Sequence, residues 1–200
     1  VKSISKELKK FFSINYFSGK GRFNLYTLFI ERGYNILAKK GTLSYIIPDN
    51  LYSNIEYRFT RELLSENTII HKICLFSKRV FEASVDTAVL VFSKNNKTDN
   101  SIDVQIDLTE SYSSLEQEMV KKFPYYIIPI KAKEESFKLI HKIIFEENSL
   151  PLGNFLEIQQ GIIYSGQPKE KVFSNEVLNN TFKKCLDGRD VLKYKINWSE

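Results

Sequence analysis

From Asn24 to Lys40, Leu25, Leu28, Phe29 and Ile36 recur within one stripe at 3.6-residue spacing while Glu31 and Lys39 fall outside it, a pattern that predicts an amphipathic helix with those two charges facing water. Gly41 is expected to end that helix, with Lys39 and Lys40 placed favourably near its carboxyl end. The run Thr42-Leu43-Ser44-Tyr45-Ile46-Ile47 has no helical period and is bounded by Gly41 and Pro48, which predicts a buried strand. After Pro48-Asp49-Asn50, Ser53 and Glu56 stand at the spacing of a capping box, so a second helix should run to about Ser65. Ile69 to Phe76 and Thr87 to Ser93 are β-branched and aromatic enough for two further strands, with Arg79 to Asp86 turning between them.

This alternation predicts a doubly wound α/β sheet, and the last two strands, lacking a helix between them, should pair antiparallel. Beyond Lys94 the texture changes. Asn95 to Asn100 is a polar loop, and Ile102, Val104, Ile106 and Leu108 alternate with polar residues as in a half-exposed strand. Ser113 to Phe123 and Glu134 to Glu147 have helical patterns, the second with Phe137, Ile140, Ile144 and Phe145 on one side. Pro151-Leu152-Gly153 marks a boundary, after which short apolar runs, glycines and lysines alternate without an internal repeat. The expected organisation is therefore residues 1–110 as an α/β domain, 111–150 as a helical connection and 151–200 as the start of another domain.

Composition narrows the class. In 200 residues, 42% hydrophobic and 14% aromatic content can fill a sizeable core, and 8 Gly with 5 Pro exclude collagen-like and low-complexity chains. No apolar run reaches the roughly 18 to 20 residues that cross a bilayer, and Val1-Lys2-Ser3 opens no signal peptide. Cys74 and Cys185 are too few and too far apart for a disulfide framework and fit a reducing compartment, so a soluble intracellular protein is expected. The net charge of +5 permits a polyanionic partner without demanding one. The sole methionine is Met119, and the chain stops at Trp198-Ser199-Glu200 without a tapering tail, so an excised piece of a longer protein is expected.

Few residues carry chemistry on their own. His71 and Cys74 form the one close His/Cys pair, but three apart on a strand they point to opposite faces and do not readily share an ion. His141 lies in an apolar helical stretch and reads as a boundary side chain, and no zinc set or Ser/His/Asp arrangement is evident. Gly19-Lys20-Gly21 precedes a helix without P-loop spacing, and reads as a mobile turn whose natural partner, if it has one, is a nucleic-acid phosphate. Ligands of open α/β sheets bind beyond the carboxyl ends of parallel strands, which puts Pro48, Asp49 and Asn50 on the functional edge. Phe81, beside Lys78 and Arg79, is either a core anchor or an aromatic that stacks a base while the cations meet phosphates.

Gly19-Lys20-Gly21-Arg22-Phe23-Asn24-Leu25-Tyr26, Phe29 in the helix, the strand from Gly41 to Pro48 and the stretch from Phe81 to Lys94 together resemble the later half of a TaqI-like adenine-specific DNA methyltransferase. Gly161, Gly166 and the run Leu186-Asp187-Gly188-Arg189-Asp190-Val191-Leu192-Lys193-Tyr194 resemble the opening of that family's specificity domain. The resemblance covers almost the whole chain and implies the carboxyl part of a Rossmann-like methyltransferase sheet with an antiparallel terminal hairpin, then the start of a mixed α+β DNA-recognition domain. It implies transfer of a methyl group from S-adenosylmethionine to N6 of a flipped adenine in double-stranded DNA, in a restriction-modification system of the bacterial cytoplasm. An endonuclease domain or subunit is a further implied partner.

Residue by residue, the resemblance implies that Phe81 packs against the flipped adenine, that Pro48, Asp49 and Asn50 border the target pocket, and that Phe29 lines the cofactor's adenine pocket. Lys169, Lys171 and Arg189 are the implied DNA contacts of the specificity segment. The family often has a lysine shortly after the stacking aromatic, where Ala83 and Ser84 stand here. Its glycine-rich cofactor loop and Asn-Pro-Pro-Tyr tetrapeptide would lie upstream: none of Pro48, Pro124, Pro129, Pro151 and Pro168 is followed by a second proline, and no catalytic residue is expected in this stretch. The piece alone should therefore be inactive. Without the resemblance Phe29 would read as core, and Arg189 as an ion-pair partner of Asp187 or Asp190. The alternative function is a non-catalytic DNA-binding module with a degenerate methyltransferase fold. An unrelated α/β nucleotide-binding enzyme survives only if the later strands fail to pair antiparallel.

Overall fold

The structure, a computed structural model, describes residues 4–78, 80, 85–95, 99–108, 110–145, 149–150, 152–157, 176, 180, 191–193 and 195–196. It divides into two compact units, Val1–Leu150 and Pro151–Glu200.

The first unit opens with a helix absent from the sequence reading. Helix α1 (Lys6–Asn15) starts where the Ser5 side chain accepts a hydrogen bond from Leu8 N at 3.3 Å, and it buries none of its residues. Helix α2 (Leu25–Ile36) starts where expected, with Asn24 as its N-cap accepting from Leu25 N, but ends four residues early. Leu37 turns extended, and Lys94 Nζ donates to Asn35 O at 3.4 Å and Leu37 O at 3.2 Å. The helix end is thus satisfied by a lysine that follows a distant strand, not by Lys39, Lys40 and Gly41. Positive φ falls on Lys40, while Gly41 is needed because a Cβ there would sit 2.9 Å from Ala38 O.

The buried face of α2 also differs from the apolar stripe. Thr27, Leu28, Ile30 and Glu31 are buried, whereas Leu25, Phe29 and Ile36 are 42%, 62% and 70% exposed. The helix turns this face inward because Glu31 has backbone partners there, an attraction that a count of apolar residues does not register. Neither the core reading of Phe29 nor the solvent-facing reading of Glu31 holds.

Strand β1 (Thr42–Pro48) matches the expectation in extent, but only Ile47 is fully buried along it, because it is an edge strand among the described residues. Two short 3-10 turns follow, Asp49–Tyr52 and Ile55–Tyr57, and then helix α3 (Arg58–Asn67). Asn54, not Ser53, caps this stretch by accepting from Glu56 N at 3.0 Å, and Glu56 is drawn away to Arg22. Strands β2 (Ile69–Leu75) and β3 (Thr87–Ser93) pair antiparallel as expected, which removes the condition on which the nucleotide-binding alternative depended.

Strand β3 inserts between β1 and β2, antiparallel to both. Strand β4 (Ser101–Ile106) runs parallel to β2, and β5 (Glu110–Glu116) returns antiparallel to β4, giving a mixed five-stranded sheet in the order β1-β3-β2-β4-β5. The helical reading of Ser113 to Phe123 is therefore half right: its first part is β5, and helix α4 occupies Gln117–Lys122. Helix α5 (Glu134–Phe145) follows, with Phe137 buried. The α/β class and the antiparallel pairing of β2 with β3 are as expected, but β2 with β4 is the one parallel pair among the described strands of this sheet, so it is mixed and not a doubly wound parallel sheet.

The core of this unit joins Ile30, Ile47, Leu51, Leu64, Ile73, Leu90, Phe92, Val104, Leu115 and Phe137. Buried Gln117 locks its polar seam, accepting from Ile70 N at 3.0 Å and donating to Ser65 O at 3.0 Å and Thr68 O at 2.7 Å. His71 is exposed and shares a 2.8 Å hydrogen bond with Ser93 Oγ, while Cys74 is buried, so the two occupy different surroundings. In the second unit, a 3-10 turn at Leu152–Asn154 and a short antiparallel pair, β6 (Val191–Leu192) with β7 (Lys195–Ile196), are described. No helix among the described residues is long and apolar enough to cross a membrane.

Candidate functional site

Pro48 closes β1 opposite Thr87, and the chain turns at once into the Asp49–Tyr52 turn, so Asp49 and Asn50 sit at the strand's end. Asp49 N donates to Asp86 O at 2.9 Å, which ties this end to the residue just before β3. Beneath it Leu51 and Tyr52 are buried, and the Tyr52 Oη has no hydrogen-bond partner among the described residues. Burial, then the nearby Asp49 carboxylate, raises the Tyr52 pKa and keeps that phenol neutral.

Three side chains that sequence reasoning missed hold this corner. Tyr26 on α2 donates its phenol to Asn50 Oδ1 at 3.2 Å and packs edge-on to Tyr57 at 5.6 Å between ring centroids. Burial, then Tyr57, raises the Tyr26 pKa, so the phenol remains a donor. Lys131 Nζ pairs with Asp49 Oδ2 at 3.0 Å, and Tyr112 holds the Lys131 carbonyl at 3.1 Å. Arg61, fully buried, donates to Leu51 O at 2.6 Å, Asn54 O at 2.7 Å and Tyr125 O at 2.9 Å. Burial lowers its pKa to about 10, which leaves it a cation at neutral pH. Tyr26 carried a weak signal in the segment that opens α2; Lys131 carried none, since Asp49 lies far along the chain, and Arg61 none, since its partners are backbone carbonyls that leave no mark in the side-chain pattern.

A second feature adjoins Tyr57. A cleft of about 330 Å³ is lined by Lys9, Gly21, Arg22, Phe23, Asn24, Glu56 and Tyr57. Gly21 and Arg22 line it at the end of the Gly19-Lys20-Gly21 turn, which is not a loose turn. Buried Glu31 accepts from Phe17 N at 2.9 Å, Ser18 N at 2.7 Å and Ser18 Oγ at 2.6 Å. A Cβ at Gly19 would meet Phe12 O at 2.4 Å, so that position requires glycine, and Gly21 has φ +71°, which favours it. Phe17 meets Phe59 edge-on at 5.5 Å, with Lys20 over one ring and Arg58 over the other.

Of the residues singled out in the sequence, Pro48, Asp49 and Asn50 stand together. Phe29 projects from α2 one turn beyond Tyr26 and is exposed. Phe81, Lys169, Lys171 and Arg189 lie outside the described residues.

Residues 1–81 match the family of the Eco57I restriction-modification methylase. The matched stretch contains α1, α2, β1, α3 and the strand end just described. The chain is 35% identical over 86 residues to the type II restriction enzyme and methyltransferase RM.Eco57I of Escherichia coli, an alignment spanning 42% of this chain and 9% of that protein. It is 29% identical over 109 residues to the type II methyltransferase M.AccI of Acinetobacter calcoaceticus, spanning 52% of this chain and 20% of that protein. Among solved structures, the type IIG restriction endonuclease BpuSI aligns over 58% of this chain and 14% of its own, at 20% identity and TM-score 0.42. The type I restriction enzyme EcoKI M protein aligns over 60% and 24%, at 18% identity and TM-score 0.36. The chain thus spans a small part of the length of these restriction-modification relatives.

Proposed function

We propose that the chain is part of a TaqI-like, S-adenosylmethionine-dependent DNA methyltransferase of a restriction-modification system, acting on N6 of adenine. The observation that carries this reading is the family match across residues 1–81, which takes in the β1 end where an α/β sheet offers its ligand-binding edge. The N6 lone pair of adenine is delocalised into the ring, so the base must leave the stack and have its amino hydrogens accepted before that nitrogen can attack. The acceptors would come from a segment preceding this one.

This chain's own residues supply the rest of the pocket. Phe81 stacks on the extruded base, and Pro48, Asp49 and Asn50 form its border. Lys131 holds the Asp49 carboxylate, and the Tyr26 phenol occupies Asn50 Oδ1, leaving the Asn50 amide nitrogen to donate toward the border. S-adenosylmethionine supplies an electrophilic methyl group when bound. Phe29, an aromatic ring 62% exposed on the outer face of α2, fits an apolar wall for its adenine. Lys169, Lys171 and Arg189 contact the DNA from the specificity segment. RM.Eco57I is by name a restriction enzyme as well as a methyltransferase, so the longer protein carries or partners an endonuclease.

The test is methyl-labelled S-adenosylmethionine with duplex DNA and the longer protein that contains this chain, followed by nucleoside analysis. Label in N6-methyladenine is the expected result, and Phe81→Ala should lower kcat more than it disturbs DNA binding. Label confined to cytosine or to protein rejects the proposal.

A further inference from the structure

We infer that the cleft between α1 and the Gly19–Arg22 turn is a seat for a backbone phosphate of duplex DNA, in which Arg22 exchanges its bond to Glu56 for one to the phosphate. This rests on the DNA-modifying reading above and adds a contact surface to it.

Three observations carry the inference. The first is the built turn: a glycine that backbone contact requires at 19, one that a positive φ favours at 21, a buried carboxylate and an aromatic pair hold the backbone that presents Lys20 and Arg22. A structure that fixes a turn this firmly positions what the turn displays, and the Arg22 side chain is 82% exposed, so it contributes nothing to the core. The second is charge. Lys9 and Arg22 line the cleft, and the Lys9 ammonium makes no ion pair among the described residues. Among the described residues the one acid lining it is Glu56, bonded to Arg22 Nη1 at 2.6 Å. A guanidinium binds carboxylate and phosphate through the same planar donors, so an exposed carboxylate is a ready stand-in for a phosphate. The third is place. Tyr57 lines the cleft and packs on Tyr26, which holds Asn50, so the seat adjoins the rim proposed to border the target base. A phosphate held there would fix the register of the strand whose base enters the pocket.

The experiment measures binding of the full 200-residue chain to a short labelled duplex by fluorescence anisotropy between about 50 and 200 mM salt. Each lost phosphate contact should lower the slope of log affinity against log salt by about 0.9. Arg22→Gln and Lys9→Gln should each show that loss, with unchanged circular dichroism and urea midpoint. Glu56→Gln should tighten binding, because the acid that competes for Arg22 is gone. The inference is overturned if Arg22→Gln and Lys9→Gln leave the slope at the wild-type value, if Glu56→Gln weakens binding, or if wild-type affinity is independent of salt. Inorganic phosphate should displace the duplex from the wild type beyond the effect of its ionic strength and do so less from Arg22→Gln; equal displacement from both overturns the inference. Methyl transfer by the longer protein with unchanged slopes would reject the seat alone; altered slopes without methyl transfer would reject the enzyme reading and keep the seat.

Discussion

At the scale of single residues, the site is assembled by buried polar groups facing backbone. Glu31 is 6% exposed and collects three donors from Phe17 and Ser18. Replacing it by Gln keeps the shape, but removes the charge and one acceptor oxygen and sets an NH₂ against backbone N–H groups. Hydrogen bonds to charged groups contribute about 1.5 to 3 kcal/mol each, so Glu31→Gln should cost about 3 kcal/mol, read as a lowered urea midpoint. A loss below about 0.5 kcal/mol, the size of an ordinary surface substitution, would show that the turn stands without its carboxylate. Such a role is not legible in the sequence. Periodicity sorts α2 by its apolar side chains and so turns Glu31 to water and Phe29 to the core, whereas the helix orients by where Glu31 finds donors. Pro48, Asp49 and Asn50 were legible because a strand end is fixed by local pattern and sheet topology. Lys131 was not, because the segment that brings it to Asp49 is ordered by packing.

At the scale of elements, the strands followed their β-branched and aromatic runs, and departures arose where polar residues take buried places. Along β5 the buried positions Ser113 and Leu115 alternate with exposed Ser114 and Glu116, but one of the two buried residues is polar, so the strand hides in a pattern that reads as helical. Other joins between elements are polar as well. Asp107 leaves β4 with φ 52° and accepts from Ser77 N at 2.9 Å and from the Ser77 hydroxyl, while its own N–H reaches Leu75 O at 2.8 Å. This clip fastens the β4–β5 turn to the point where the Phe81 loop leaves β2. The two Ser77 bonds hold the Asp107 carboxyl below its ordinary value of 3.8. A carboxyl lowered on folding adds stability that is fully present above the unfolded value and is lost as pH falls through the folded one. The stability difference between wild type and Asp107→Asn should therefore be constant from neutrality to about pH 5 and shrink toward zero on acidification below about pH 4. Urea midpoints across that range check it, and a difference that persists or grows in acid would assign the clip to packing.

For the whole molecule, the pairing of β2 with β3 was legible from the missing helix between them, but the insertion of β3 between β1 and β2 was not, because strand order is set by which surfaces bury best together. That order leaves β1 on the edge of the sheet among the described residues, paired only with β3. An edge strand presents unpaired N–H and C=O groups, and natural sheets blunt such edges with charges, bulges or proline. Along β1 the exposed positions are Thr42, Ser44 and Ile46, with Pro48 at the very end, so nothing charged guards it. The helix packed on it, α2, adds exposed Leu25, Phe29 and Ile36. A free, uncharged edge next to exposed apolar side chains favours strand addition, so the chain in isolation should self-associate as its concentration rises, in a manner that added salt does not reverse. Ile46→Lys places a charge on that edge where the side chain is 38% exposed, and should change the unfolding midpoint by no more than about 0.5 kcal/mol. Sedimentation velocity across a concentration series should then show a monomer for Ile46→Lys and a concentration-dependent larger species for wild type. Equal behaviour of the two, or association abolished by salt alone, would move the contact from the β1 edge to the charged surface.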